Sequence, residues 1–322
     1  MTMTMSKQAI FIVLLLVGLV FLAILPLVVK TDSIINLTIL IFLYIVLASS
    51  WNILGGYAGQ VNLGYAAFFG LGTLATRLLW LSAGWSLFPS LLAGGVVAVA
   101  FALLIGLPAF RLKGVYFAIG TLALAQILYI TVGNILPKIS SLPAEALVAY
   151  QLVPRYYLLF GLAIFAVGTA YVLVNSRWGL GIMAIREEED AAESLGVSAL
   201  RHKLLALVVS AFLAGLAGGA FAFYHVGYYY QFPFSPLWTF DPIMMVYIGG
   251  QGTIIGPVIG AVFFVIIREF LALRFVELHL AVFGTLFILV VLFLPGGFVE
   301  VWGKIQKTLA RRRSTRLAQA TS

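Results

Sequence analysis

The chain has 322 residues, 63% of them hydrophobic and only 9% charged, with a formal net charge of +8. A soluble domain carries about 25% charged residues, so most of this surface is not built to face water. Cysteine is absent, which excludes disulfides, thiolate metal sites and a cysteine nucleophile.

Apolar runs repeatedly reach the ~20 residues that a helix needs to cross a bilayer core. A membrane barrel would instead show ~10-residue alternating segments. The composition therefore predicts an all-α polytopic membrane protein. The first run, Ala9–Val29, is too long for a signal-peptide core and has no small-residue cleavage site after it, so it reads as a retained span. Further spans are predicted at Ile34–Leu54, Asn62–Leu81, Leu87–Phe110, Val115–Leu136, Tyr156–Val174, Leu204–His225 and Leu278–Phe298. A long apolar region also runs from Pro242 to Phe270.

Lys and Arg favour the cytoplasmic side of a membrane. With Lys7 inside, the sixth span returns the chain to the inside at Arg177, and Arg111 and Lys113 also fall inside. The tail carries Lys304, Lys307, Arg311, Arg312, Arg313 and Arg316, so an even number of crossings should separate it from Arg177. Pro242–Phe270 then becomes two short, glycine-broken spans joined near "GGQGTIIGP", giving about ten spans with both termini cytoplasmic. Lys30, Arg77, Lys138, Arg155, Arg268 and Arg274 lie outside or at the outer edge in this arrangement. The alternative, one long kinked span with the tail outside, is disfavoured by the charge rule. Residues 1–322 read as a single transmembrane domain with a cytoplasmic loop at 175–203 and a basic tail at 304–322. The position of the basic excess at membrane edges points to a cytoplasmic anchor and not to nucleic acid.

Asn52 to Gly72 reads "NILGGYAGQVNLGYAAFFGLG", and small-xxx-small spacing recurs at Gly55/Gly59, Gly215/Gly219 and Gly252/Gly256/Gly260. Close helix packing accounts for most such glycines. Others let a segment bend beside a pathway, which membranes tolerate only where protein or water covers the backbone. Gln60, Asn62, Tyr65, Gln126 and Asn134 are the candidate polar lining of such a path, each also explicable as an interhelical hydrogen bond. No Asp, Glu, Lys or Arg is placed firmly mid-span, and ion-coupled carriers generally use one there. An ATP-independent secondary carrier is therefore the lesser reading.

Asp241 before Pro242 reads as an N-cap followed by proline at the first helical position. His202, His225 and His279 show no metal-ligand spacing. "GFVEVWGKI" has one residue too many between its glycines for a phosphate loop and ends in Ile305 where Ser or Thr belongs. No catalytic constellation, metal site or nucleotide site is expected in this chain. The aromatic segment "HVGYYYQFPFSPLWTF" reads as an interfacial belt, with a docking surface for an extracytoplasmic partner as the second reading.

The loop sequence "AIREEEDAAESLGVSALRHK" places Glu187, Glu188, Glu189, Asp190 and Glu193 in an otherwise oily chain. Acids favour a helix N-terminus and glycine suits the position just past its end. The segment thus encodes a short helix that stops at Gly196, and Ser198 caps the next one. Ala191 and Leu195, four apart, form a small apolar face surrounded by charge, which fits a partner's groove.

"DAAESLG", Asp190–Gly196, resembles the E-A-A-x-x-x-G element in the cytoplasmic loop of ABC importer permeases, with Asp190 in place of the usual Glu. The wider stretch around it, "GYAGQVNLGYAAFFGLG" and "IGGQGTIIGPVIGA" are similar to the permeases of branched-chain amino-acid importers, over roughly Trp51 to Pro295. The resemblance implies a type II-like ABC importer permease in a bacterial or archaeal inner membrane. It also implies a second homologous permease, two cytoplasmic ATP-binding subunits that hold the ATP and Mg, and an extracytoplasmic substrate-binding protein. Arg186, Glu187, Glu188, Asp190, Ala191, Ala192, Leu195 and Gly196 would then form the ATPase-coupling segment, with Ala191, Ala192, Leu195 and Gly196 as the contact. The chain carries Asn62 and Tyr65 where members commonly have Ser and His. Importers of urea and other small amides share this architecture, so the substrate stays open between these and branched-chain or related amino acids.

Overall fold

A helix that is apolar on all sides is buried at the centre of a bundle or in a membrane. The computed structural model describes residues 5–29, 31–274, 284–285, 288, 292 and 296–301. Most of the predicted span Leu278–Phe298, the basic tail from Lys304 onward and Lys30 lie outside the described residues. The chain opens with α1 (Met5–Val28) and α2 (Asp32–Asn52), and α2 continues into a π-helical turn at Ile53–Tyr57. After an irregular stretch come α3 (Tyr65–Leu81), α4 (Leu87–Ala109) and α5 (Val115–Ile135). The short elements β1 (Ile139–Ser141) and α6 (Ala144–Val148) lead into α7 (Leu152–Val174). Next are α8 (Arg177–Glu187), α9 (Glu189–Ser194), α10 (Ala199–Tyr224), β2 (Gly227–Tyr229) and a 3₁₀ turn at Phe232–Phe234. The last described elements are α11 (Leu237–Gly249) and α12 (Gly256–Arg274).

Among the described residues, five helices are long and apolar enough to cross a membrane: Asp32–Tyr57, Leu87–Ala109, Val115–Ile135, Leu152–Val174 and Ala199–Tyr224. Each coincides with a predicted span. The two central ones are α2, buried almost continuously from Phe42 to Asn52, and α10, packed chiefly on α3 and α4. Small residues allow that packing. A methyl group at Gly72 would overlap the Gly215 backbone, and one at Gly95 would meet the Phe212 ring at 2.8 Å. Without a hydrophobic drive between helices in lipid, such close backbone approach supplies the attraction. Large apolar side chains on the outer faces of α4, α5 and α7, including Leu104, Ile119 and Val172, remain exposed as lipid contact requires.

The region Pro242–Phe270 does break at its glycines: α11 ends at Gly249, and α12 begins at Gly256. The break folds the two helices into a hairpin so tight that a methyl group at Gly249 would overlap the Gly256 carbonyl. Asp241 is a correction to the sequence reading. It does not cap a helix, because α11 already starts at Leu237, nucleated by the turn bonds of Trp238 and Thr239 to Ser235 and Pro236. Inside α11 its carboxylate instead accepts from Tyr44 Oη at 2.9 Å and pairs with Arg268 Nη1 at 3.0 Å.

The aromatic segment also differs from a simple belt. Tyr228, Phe234 and Trp238 are buried, with Trp238 stacked on Phe69 at 4.5 Å, while Tyr229 and Phe232 stay outside. β2 pairs antiparallel with β1, Tyr228 opposite Ser140. Alternate residues of this two-stranded ribbon therefore face the helices.

At this end of the molecule two buried arginines close the C-terminus of α10. Arg77 donates to the carbonyls of Ala222, His225, Val226 and Ser140 and to Ser140 Oγ at 2.7–3.3 Å. Arg155 donates to Phe223 O at 2.9 Å and lies 3.7 Å from the Tyr150 ring centroid. The last carbonyls of a helix have no partner within it and carry partial negative charge. These two guanidiniums supply both the donors and the opposite charge.

Candidate functional site

The acidic segment folds as two helices, not one. Ser176 Oγ accepts from Gly179 N at 3.2 Å and caps α8. Glu188 is extended, at φ −156° and ψ 108°, and separates α8 from α9. α8 itself was not predicted; its signal was Ser176 followed by Gly179, Ile182 and Ile185, the buried positions at helical spacing. Glu189 and Asp190 occupy the first turn of α9, as their attraction to the positive helix end favours. Past its end, Gly196 has φ +88°, a conformation that a Cβ makes costly.

α9 is attached through one side. Ala192 is buried against Ile185, Ala199 and Val197. Glu189 Oε2 lies 2.6 Å from Nζ of Lys203, itself buried at the start of α10. Ala191 and Leu195 remain on the outside, Leu195 at 86% exposure. Of the four residues expected to meet a partner, Ala191, Leu195 and Gly196 are thus accessible, while Ala192 holds the helix to its own chain. Glu187, Glu188 and Asp190 are exposed as well.

Beside α8 lies the glycine-rich break of α2. A helix that ends in a π-turn leaves carbonyls without the usual partner. Here they are taken by side chains from distant segments: Gln251 Nε2 donates to Gly55 O at 2.9 Å, and Arg186 Nη1 to Gly56 O at 2.7 Å. Asn52 bonds both ways to the α11–α12 turn, accepting from Gly252 N and donating to Thr253 O, each at 2.9 Å. Three stretches far apart in sequence, around 55, 186 and 252, therefore meet at one place.

The predicted lining residues divide. Asn62 and Tyr65 are buried and hydrogen-bonded within the chain. Asn62 Oδ1 accepts from Gly64 N at 2.8 Å, its carbonyl accepts from Trp51 Nε1 at 3.0 Å, and this turn delays the start of α3 to Tyr65. Tyr65 Oη donates to Leu47 O at 3.1 Å and is bonded to Ser50 Oγ. Gln60 is partly accessible, whereas Gln126 and Asn134 lie on the exposed side of α5. That side repeats at Ile119, Ala123, Gln126, Ile130 and Asn134, one helical stripe carrying two amides. The structure therefore does not gather the five into one cluster.

The described helices make this a multi-pass helical membrane protein whose exposed acidic helix is tied through its own chain to a glycine-broken core. The chain belongs to the family "branched-chain amino acid transport system / permease component", which matches residues 33–291. It is 29% identical over 327 residues to the high-affinity branched-chain amino acid transport system permease protein LivM of Salmonella typhimurium, covering 92% of this chain and 76% of that one. The same values hold for LivM of Escherichia coli. A probable branched-chain amino acid transport permease protein LivM of Methanocaldococcus jannaschii is 24% identical over 313 residues, covering 80% and 90%. No solved structure matches the chain.

Proposed function

We propose that this chain is the transmembrane permease subunit of an ATP-driven importer for branched-chain or related amino acids. It forms half of the translocation path in a bacterial or archaeal cytoplasmic membrane. A second homologous permease supplies the other half, two cytoplasmic subunits bind and hydrolyse ATP with Mg, and an extracytoplasmic protein delivers the substrate. The observation that carries the reading is α9: a short helix, anchored by Ala192 and by Glu189–Lys203, that leaves Ala191 and Leu195 uncovered. Exposed apolar residues on an otherwise charged, pinned helix fit a partner's groove.

The contacts also support the alternation of crossings that the ten-span arrangement gives between α2 and α11. The segments around 56, 186 and 252, all cytoplasmic in that arrangement, meet one another. Arg77, Ser140 and His225, all at the outer edge in it, meet one another too. An odd number of crossings between any two members of a group would separate them by the bilayer thickness.

Affinity purification of the chain from its native membrane should bring down two ATP-binding subunits, and proteoliposomes of the assembled complex should accumulate a branched-chain amino acid only with ATP. Accumulation by this chain alone without ATP would overturn the proposal. Binding of urea or another small amide by the cognate binding protein would redirect the substrate while leaving the role intact.

A further inference from the structure

We propose that Arg186 is a positioning residue that makes α8 and the glycine-broken ends of α2 and α11 move as one body, so that displacement of α9 reaches the membrane core. The inference rests on the permease reading above and assigns how the signal passes inside this chain. Arg186 is in the last turn of α8, just before the extended Glu188. Four acids follow it directly, yet the ion pairs among the described residues leave it out. Its guanidinium turns the other way, to Gly56 O at 2.7 Å.

The slot that receives it is made of glycines. A Cβ at Gly59 would come within 3.1 Å of Arg186 Cγ, and one at Gly252 would collide with Nη1. Both glycines have left-handed backbone, φ +67° and +70°. The side chain thus lies between two loops that Asn52 and Gln251 already fasten to each other. A charged donor on a carbonyl is about twice as strong as a neutral one. On the other side, Ile185, the neighbour of Arg186 in α8, packs on Ala192 of α9. A push on α9 therefore has a continuous path: Ala192 to Ile185, along α8, and through Arg186 to the carbonyl end of the π-turn.

The test uses the complete importer in proteoliposomes, with uptake and ATP hydrolysis measured together. R186Q should keep its ATP-binding subunits and hydrolyse ATP within about two-fold of the original chain, while uptake per ATP falls about ten-fold or more, the scale of one charge-assisted bond. R186K, which retains a cationic donor, should recover most of the uptake. A normal uptake ratio in R186Q, or loss of the ATP-binding subunits from it, would overturn the proposal. A second arm needs no Arg186 variant. Because the chain has no cysteine, spin labels at Ala184→Cys and Ile255→Cys can be introduced cleanly. Their separation should be unchanged between nucleotide-free and ATP-bound complexes, and a shift would also overturn it. Failure of the unaltered complex to bind ATPases or to transport would instead strike the permease reading itself.

Discussion

Arg77 has no measurable exposure and, among the described residues, no carboxylate partner; its charge is met by backbone carbonyls and by the Tyr228 ring at 5.3 Å. Removing it leaves those acceptors buried and unpaired. Arg77→Ala should destabilise by about 3 kcal/mol and lower the melting temperature in detergent by about 5 °C. Next to it, burial, with the Arg77 charge adding to it, pushes the His225 imidazole from 6.5 down to about 4. The unfolded chain binds this proton below about pH 6.5 and the folded one only near 4, so His225 costs no stability at pH 7.5 and destabilises progressively as pH falls through that window. The melting temperature should drop between pH 7.5 and 5.0, and His225→Gln should flatten the drop. Charge counting put Arg77 near the end of a predicted span, but its carbonyl partners were not legible. They come from β1 and the end of α10, and no local spacing encodes a meeting of residues 77, 140 and 225.

At the scale of elements, α9 and its glycine stop were legible because acids, a small apolar face and a terminal glycine act within one turn. Which face turns inward was not, since Ala191 and Ala192 are alike until Ile185 and Ala199 cover one of them. Two substitutions separate conformation from contact. A Cβ at Gly196 meets no atom within 4 Å, but Gly196→Val must adopt φ +88°, costing about 1–2 kcal/mol locally. Ala191→Trp adds bulk on the open side without backbone strain. Both should insert normally in the membrane, and both should reduce recovery of ATP-binding subunits in a pull-down, Ala191→Trp without any change in melting temperature. In the α11–α12 hairpin the constraint is steric. Gly249→Val has no room against the Gly256 backbone and should abolish recovery of folded protein by size-exclusion chromatography. The missed start of α11 has a plain reason: Pro236 and Pro242 both suit an early helical position, and the sequence does not rank them.

For the whole molecule, alternating contacts at two ends make membrane sidedness measurable. A single cysteine at Val148, which is 90% exposed, should react with an impermeant maleimide on intact cells. Cysteines at Leu195 and Ser314 should react only in inside-out vesicles, and labelling of Ser314→Cys from outside would require an odd number of crossings after α9. Apolar run lengths made the five long helices legible. They did not reveal that Tyr65 is taken up by internal bonds or that Trp51 holds the Asn62 backbone carbonyl, because Trp51, Leu47 and Ser50 become their neighbours only when α2 and α3 pack. The π-turn at the end of α2 carries one more consequence. It holds a residue beyond what an α-helical turn of the same pitch would use, and so it is a store of phase. Taking up that residue would rotate everything after Tyr57 by roughly 100° about the axis of α2. In this structure the side chains of Gln251 and Arg186 hold the carbonyls of Gly55 and Gly56 within that turn.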